Sequence, residues 1–192
     1  MPNWCQNILK LEHDDPEFIR RAHSAFAEGK LLNEFVPVPD DLANPDTTTH
    51  GGVNAETHDA LRYSMTKKYG YSDWYSFRVN EWGTKWDVGD EYGINSVTEN
   101  SLFVTFDSAW APPVVAYEKM SKLGFRIDAQ YCEEGIGFVG RWSDENGDEE
   151  FQIPNTSKEI VEKIPADLDD MFCLSENRAI SEEEEAYDSE DK

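Results

Sequence analysis

The side chains able to do chemistry are sparse and scattered. His13, His23, His50 and His58 match neither the HExxH nor the HxxxH spacing that would set two imidazoles on one helix face as metal ligands. Each reads as a surface or packing residue. Cys5, Cys132 and Cys173 form no CxxC pair and have no local base to hold a thiolate, so buried, unreactive thiols are expected. The glycines make no GxGxxG and no GxxxxGK[ST], which removes the familiar phosphate cradles. Carboxylates are too abundant for any pair of them to indicate general acid and base catalysis. The residues therefore call for no metal and no cofactor, and no set of them nominates a catalytic centre.

Two segments are denser. In Asn80-Glu81-Trp82-Gly83-Thr84-Lys85-Trp86-Asp87, two indoles four residues apart flank a glycine and a lysine. Trp82, Lys85, Trp86 and Asp87, with Trp110 before Pro112-Pro113, are candidates for a small polar pocket walled by aromatic rings. There Lys85 would lie against an indole face in a cation-π contact worth ~0.5 to 2 kcal/mol. A corner simply pinned into the core by Trp82 and Trp86 is the competing reading. The second segment is acidic: Glu133 and Glu134, then Asp144, Glu145, Asp148, Glu149 and Glu150 around the turn Asp144-Glu145-Asn146-Gly147. On adjacent strands these seven carboxylates would converge into one patch for a basic partner; a soluble turn is the plainer alternative.

The elements that must position these residues follow from local pattern. Asn7 to Glu12 reads as a strand, and Asp14 or Asp15 with Pro16 starts a helix whose Phe18, Ile19, Ala22 and Phe26 share a face up to Gly29. Leu31 to Val38, with Pro37 and Pro39, predicts a returning extended segment. A loop over 40–54 leads to helices over 55–68 and 72–82. Ser101 to Asp107 is a strand, Pro112-Pro113 opens a helix that stops at Gly124, and strands follow over 125–132, 136–142 and 151–153. A short helix is expected over 157–164. Two β-α-β halves around an inserted helical region, at about 40–100, predict an α+β, ferredoxin-like sandwich: a mainly antiparallel sheet with helices packed on one face. Residues 1–174 form this domain, and 175–192, with eight acidic and two basic residues, read as an acidic disordered tail.

Charge narrows the partners. The 192 residues hold 40 Asp and Glu against 17 Lys and Arg, a net charge of −23, of which the tail accounts for −6 and residues 1–174 for −17. Such a surface repels phosphate backbones and anionic membranes, so no direct nucleic-acid or membrane binding is expected, and it attracts basic protein surfaces. With no apolar run near the ~20 residues of a membrane helix and no signal-peptide pattern, a cytoplasmic location in a bacterial host is expected.

Three blocks carry a resemblance: Met1-Pro2-Asn3-Trp4-Cys5-Gln6-Asn7, Trp82-Gly83-Thr84-Lys85-Trp86-Asp87, and Phe106-Asp107-Ser108-Ala109-Trp110-Ala111-Pro112-Pro113. In this order they resemble the signature blocks of the YubB-like ferredoxin-like family, whose members are encoded by plasmids, phages and other bacterial mobile elements. The resemblance spans roughly residues 1–174 and implies a ferredoxin-like domain. It implies no activity and no catalytic residue, because the family's function is unknown. The leading expectation is a non-enzymatic, acidic interaction protein of a mobile element that binds a basic host protein or a nucleic-acid-binding protein, as a nucleic-acid mimic inhibiting a defence system. The alternatives are a small-ligand binder or enzyme at the 80–87 corner, and an acidic domain adapted to salt.

Overall fold

Strand β1, Trp4–Glu12, alternates so that Cys5, Asn7, Leu9 and Leu11 turn to the interior. A computed structural model provides this architecture and describes residues 3–43, 55–90 and 92–190. The loop expected over 40–54 lies, from residue 44, outside the described residues. Helix α1, Pro16–Ala27, starts where the Asp15 carboxylate accepts the Glu17 N–H at 3.0 Å, with the fixed φ of Pro16 in the first turn. It ends before Gly29, whose φ of 71° is open to glycine at little cost.

The next segment departs from expectation. Leu31–Phe35 is a short helix, α2, rather than a returning strand. The Asp87 carboxylate arrives from far along the chain to accept the N–H groups of Leu32 at 2.7 Å and Asn33 at 3.0 Å, giving the helix the N-terminal acceptor its own sequence lacks. Helices α3, Ala55–Tyr69, and α4, Trp74–Glu81, follow. The returning strand is instead β2, Ile94–Val97, which hydrophobic patterning did not mark because three of its four residues are exposed. Then come β3, Ser101–Ala109; α5, Val114–Lys122; β4, Arg126–Glu133; β5, Phe138–Ser143; and β6, Gly147–Gln152. Helices α6, Ser157–Lys163; α7, Ala166–Phe172; and α8, Leu174–Glu190, complete the described chain.

The six strands form one antiparallel sheet in the order β2-β3-β1-β4-β5-β6. Its first four strands, with α1 and α5 as the two crossover helices, have the β-α-β-β-α-β order of a ferredoxin-like fold, and the β5–β6 hairpin widens it. One face buries Leu9, Leu11, Leu102, Val104, Phe106 and Ile127 against Ile19, Phe26, Leu31, Tyr117 and Met120 of α1, α2 and α5. Apolar area removed from water there, at ~25 cal/mol per Å², is the main force holding the layers together. Backbones also meet closely: a Cβ on Gly89 would lie 2.3 Å from the Gly29 Cα, so only glycine allows the segment after Asp87 to cross the end of α1.

On the opposite face Cys132 and Val139, with Phe151, are covered by Ile160, Ile164, Leu168 and Leu174. As far as residue 190, the segment expected to be a disordered tail is thus helix α8, docked rather than loose; its last two residues lie outside the described ones. Its Glu182 accepts the Ser157 N–H at 3.0 Å and hydroxyl at 2.7 Å, and Arg178 donates to the Asn155 carbonyl at 2.6 Å. These bonds hold Glu182 below the usual carboxylate range. Sequence composition hid this, because the apolar anchor Leu174 lies outside the acidic run.

Candidate functional site

Two places bring sequence-selected residues together, and in both the fold divides them into structural and free. At the corner, Asp73 caps α4 by accepting the Ser76 N–H at 2.8 Å, while the Ser76 hydroxyl accepts the Asp73 N–H at 3.3 Å. The helix then presents Trp74, Tyr75 and Arg78 in its early turns. Gly83, at φ 90°, reverses the chain, and a Cβ there would sit 3.2 Å from the Pro112 carbonyl oxygen. Trp82 and Trp86 therefore part company. Trp82 is fully buried, its indole N–H donating to the Val36 carbonyl at 2.8 Å, and the Arg78 guanidinium packs 4.9 Å and 4.7 Å from the Trp74 and Trp82 rings. Burial lowers the Arg78 pKa despite the nearby Asp87 charge.

Asp87 is likewise consumed by the fold. Its carboxylate accepts the N–H groups of Leu32, Asn33 and Val88, and burial raises its pKa against the pull of those bonds. Trp82 and Asp87 consequently leave the candidate pocket. Lys85, Trp86 and Trp110 stay and gain two partners. The Lys85 ammonium lies 5.0 Å from the Trp86 ring centroid, 5.2 Å from that of Trp110 and 5.8 Å from that of Tyr75. Trp4 packs on Trp86 at 5.5 Å, and Tyr75 meets Trp110 edge-on at 6.4 Å. Trp110 is held at φ 70°, a left-handed posture rarely adopted by a tryptophan, where its N–H donates to the Asn3 carbonyl at 2.9 Å. The Thr84 hydroxyl bonds the Ala109 carbonyl at 2.9 Å. Residues of the three blocks that begin at Met1, Trp82 and Phe106 thus meet on one surface, with Trp4, Tyr75 and Trp110 exposed. Tyr75 carried no sequence signal beyond lying on a helix, and Trp4 only its place in the opening block.

The acidic residues do not gather in one row. Glu133 is buried, and its carboxylate accepts the N–H groups of Gly135 at 3.0 Å and Ile136 at 2.5 Å, closing the β4–β5 turn. Glu134 is exposed beside it. Asp144 and Glu145 sit at the other end of β5, about 17 Å away at ~3.4 Å per residue. Asp144 accepts the Ile127 N–H at 2.7 Å, Asp148 accepts the Tyr131 hydroxyl at 2.5 Å, and Glu149 pairs with Arg141 at 2.6 Å. Glu150 is exposed on β6, an outer strand of the sheet, where charge discourages edge-to-edge association.

Asp144 and Glu145 do line a groove of about 640 Å³ on the second sheet face, between β1, β4, β5 and α7. Five carboxylates, Glu12, Asp128, Asp144, Glu145 and Asp167, border it, against Lys10, Arg126 and Arg141. Those three cations are already engaged: Lys10 with Glu12 at 2.8 Å, Arg126 with Asp14 at 2.8 Å, and Arg141 with Asp167 at 2.8 Å as well as Glu149. The same holds elsewhere, since Arg20, Arg21, Lys30, Arg62, Lys68, Lys119, Lys158, Lys163 and Arg178 all face carboxylates.

Of the thiols, Cys5 and Cys132 are buried; burial and neighbouring carboxylates push Cys132 up to about 12, and burial raises Cys5 as well. Cys173 departs from the expectation of burial and is exposed. Among the described residues, no group of three or more His, Cys, Asp or Glu is arranged to hold a metal ion, and no helix is long and apolar enough to cross a membrane.

No family model and no curated protein matches the chain. Among solved structures, the chain is similar to the crystal structure of a protein api92 from Yersinia pseudotuberculosis, of family model DUF1281. The two are 11% identical, with a TM-score of 0.41, over 80% of this chain and 99% of that one.

Proposed function

We propose that the chain is a non-enzymatic interaction protein that binds a basic surface of another protein through the acidic groove on its second sheet face. The groove itself carries the reading: a concave site of about 640 Å³ bordered by five carboxylates, with its three cations already paired. Asp128 lies across from Lys10, whose ammonium Glu12 holds at 2.8 Å, and Glu145 makes no salt bridge among the described residues, so both can turn to a basic partner, which the surplus charge of the body steers toward them. A protein that resembles the mobile-element YubB-like family would use such a surface against a host protein, its carboxylates standing where nucleic-acid phosphates otherwise bind. Bacterial cytoplasm is the compartment this role implies.

Placement, not total charge, is what the test must separate. Binding of an arginine-rich peptide is measured at low and high salt for the wild type, for Asp128→Asn with Glu145→Gln, and for Glu183→Gln with Glu184→Gln on α8. Each double variant removes two charges. The groove pair is expected to weaken binding about tenfold and to flatten its salt dependence, with the α8 pair near wild type. Equal losses from both pairs would reduce the acids to general solubility and overturn the reading.

A further inference from the structure

Lys85 is anomalous in a chain so rich in carboxylates. Among the described lysines, it is the partly buried one that meets no carboxylate and no hydrogen-bond acceptor; the partly buried Lys119 has Glu81, and Lys67 and Lys122 are exposed to water. Its ammonium is fixed instead by the rings of Tyr75, Trp86 and Trp110. Cation-π contact holds the group in place but satisfies none of its three N–H donors. Around it Trp4, Tyr75 and Trp110 leave ring surface open, with Trp4 43% exposed and Tyr75 42% exposed. A localised cation with unused donors, set in flat and exposed aromatic rings, is complementary to a planar molecule bearing one anionic group.

From this complementarity we infer a second, independent site: a small planar aromatic anion stacks on the indoles at the rim and places its phosphate or carboxylate on Lys85. The rings supply stacking that tolerates many ring chemistries, and Lys85 supplies the charge-assisted hydrogen bond that selects anions over neutral analogues. The site needs none of the groove residues, so it stands or falls separately from the basic-partner reading. Rigidity favours it, because Thr84 and Trp110 are each hydrogen-bonded to a neighbouring backbone, Gly83 lies close against the Pro112 carbonyl, and little has to be ordered on binding.

Titrations followed by the indole N–H signals of the tryptophans test it, with adenosine monophosphate, adenosine, benzoate and inorganic phosphate as probes. Adenosine monophosphate is expected to shift the Trp4, Trp86 and Trp110 signals, with adenosine and phosphate each at least about tenfold weaker. Binding by benzoate in addition would extend the class to aromatic carboxylates, and its failure would restrict it to phosphates. Lys85→Gln is expected to weaken the monophosphate about tenfold while leaving adenosine unchanged. Trp4→Ala, at an exposed ring, serves as a second variant should Lys85→Gln fold poorly, and is expected to weaken both nucleotide and nucleoside. The inference is overturned if the monophosphate leaves the three signals unmoved up to about 10 mM, if monophosphate and nucleoside bind alike, or if Lys85→Gln binds as the wild type does.

Discussion

The aromatic corner and the acidic groove began as similar clusters of conspicuous residues, yet the fold sorts them by different means. At the corner the sorting is by burial: one turn at Gly83 sends Trp82 into the core and Trp86 outward, and Asp87 is spent on capping α2. In the hairpin the sorting is by pairing: Glu133 and Asp144 hold backbone N–H groups, Asp148 a tyrosine and Glu149 an arginine, while Glu134, Glu145 and Glu150 remain exposed. Residue type therefore says little about availability. What matters is whether backbone or counter-charge has already claimed the side chain.

That contrast can be broken most forcefully at the corner. Trp82→Ala empties a fully buried site and removes the bond to Val36, and is expected to cost ~3 to 5 kcal/mol in urea unfolding, whereas Trp4→Ala should cost well under half of that. Similar losses for both would erase the distinction between core and rim. Asp87→Ala strands three backbone N–H groups and should cost roughly 2 to 3 kcal/mol, with part recovered by Asp87→Asn. In the hairpin, Glu133→Ala is expected to cost about 1 to 2 kcal/mol and Glu134→Ala less than ~0.5 kcal/mol, because only the former bonds the turn.

The smallest effect concerns pH. The Ser157 hydroxyl and N–H hold Glu182 below its ordinary value, so its contribution is present above the usual carboxylate pKa of ~4.3 and is lost as pH falls through the lower, folded value. Hydrogen exchange of α8 should accelerate in that acid range; Ser157→Ala, which keeps the backbone N–H bond, should reduce the pH dependence, and Glu182→Gln should remove it. Unchanged protection in acid would show that Leu174 and its apolar neighbours hold α8 without the carboxylate.

Where a feature is determined locally, it was legible. Asp15, Pro16 and Gly29 bracket α1 within fifteen residues of sequence, and Pro112-Pro113 with Gly124 bracket α5, so both helices stand where patterning places them. The α+β class follows from the same local signals. Features settled by distant partners were not legible. The cap on α2 comes from Asp87, the anchor of α8 from Ser157, and the ring facing Lys85 from Tyr75 on another helix. Three of the five corner residues, Lys85, Trp86 and Trp110, were legible because they lie in dense blocks. The core reading of the corner holds for Trp82 and not for Trp86, and spacing along the chain could not tell the two apart because it does not reveal a reversal at one glycine.

Strand β1 lies in the interior of the sheet, flanked by β3 and β4, yet about 90 residues separate its end from the start of β3. At a synthesis rate of ~5 to 20 residues per second, the segment holding Leu9 and Leu11 leaves the ribosome roughly 5 to 20 seconds before either of its neighbours exists. Through that interval the apolar strand has helices such as α1 and α2 for company but neither strand that pairs with it, and the sheet must close around it late, through contacts of high sequence separation that fold slowly. For the cell, the exposure of this strand to chaperones and to other nascent chains is thus governed by how long the inserted helical region takes to translate.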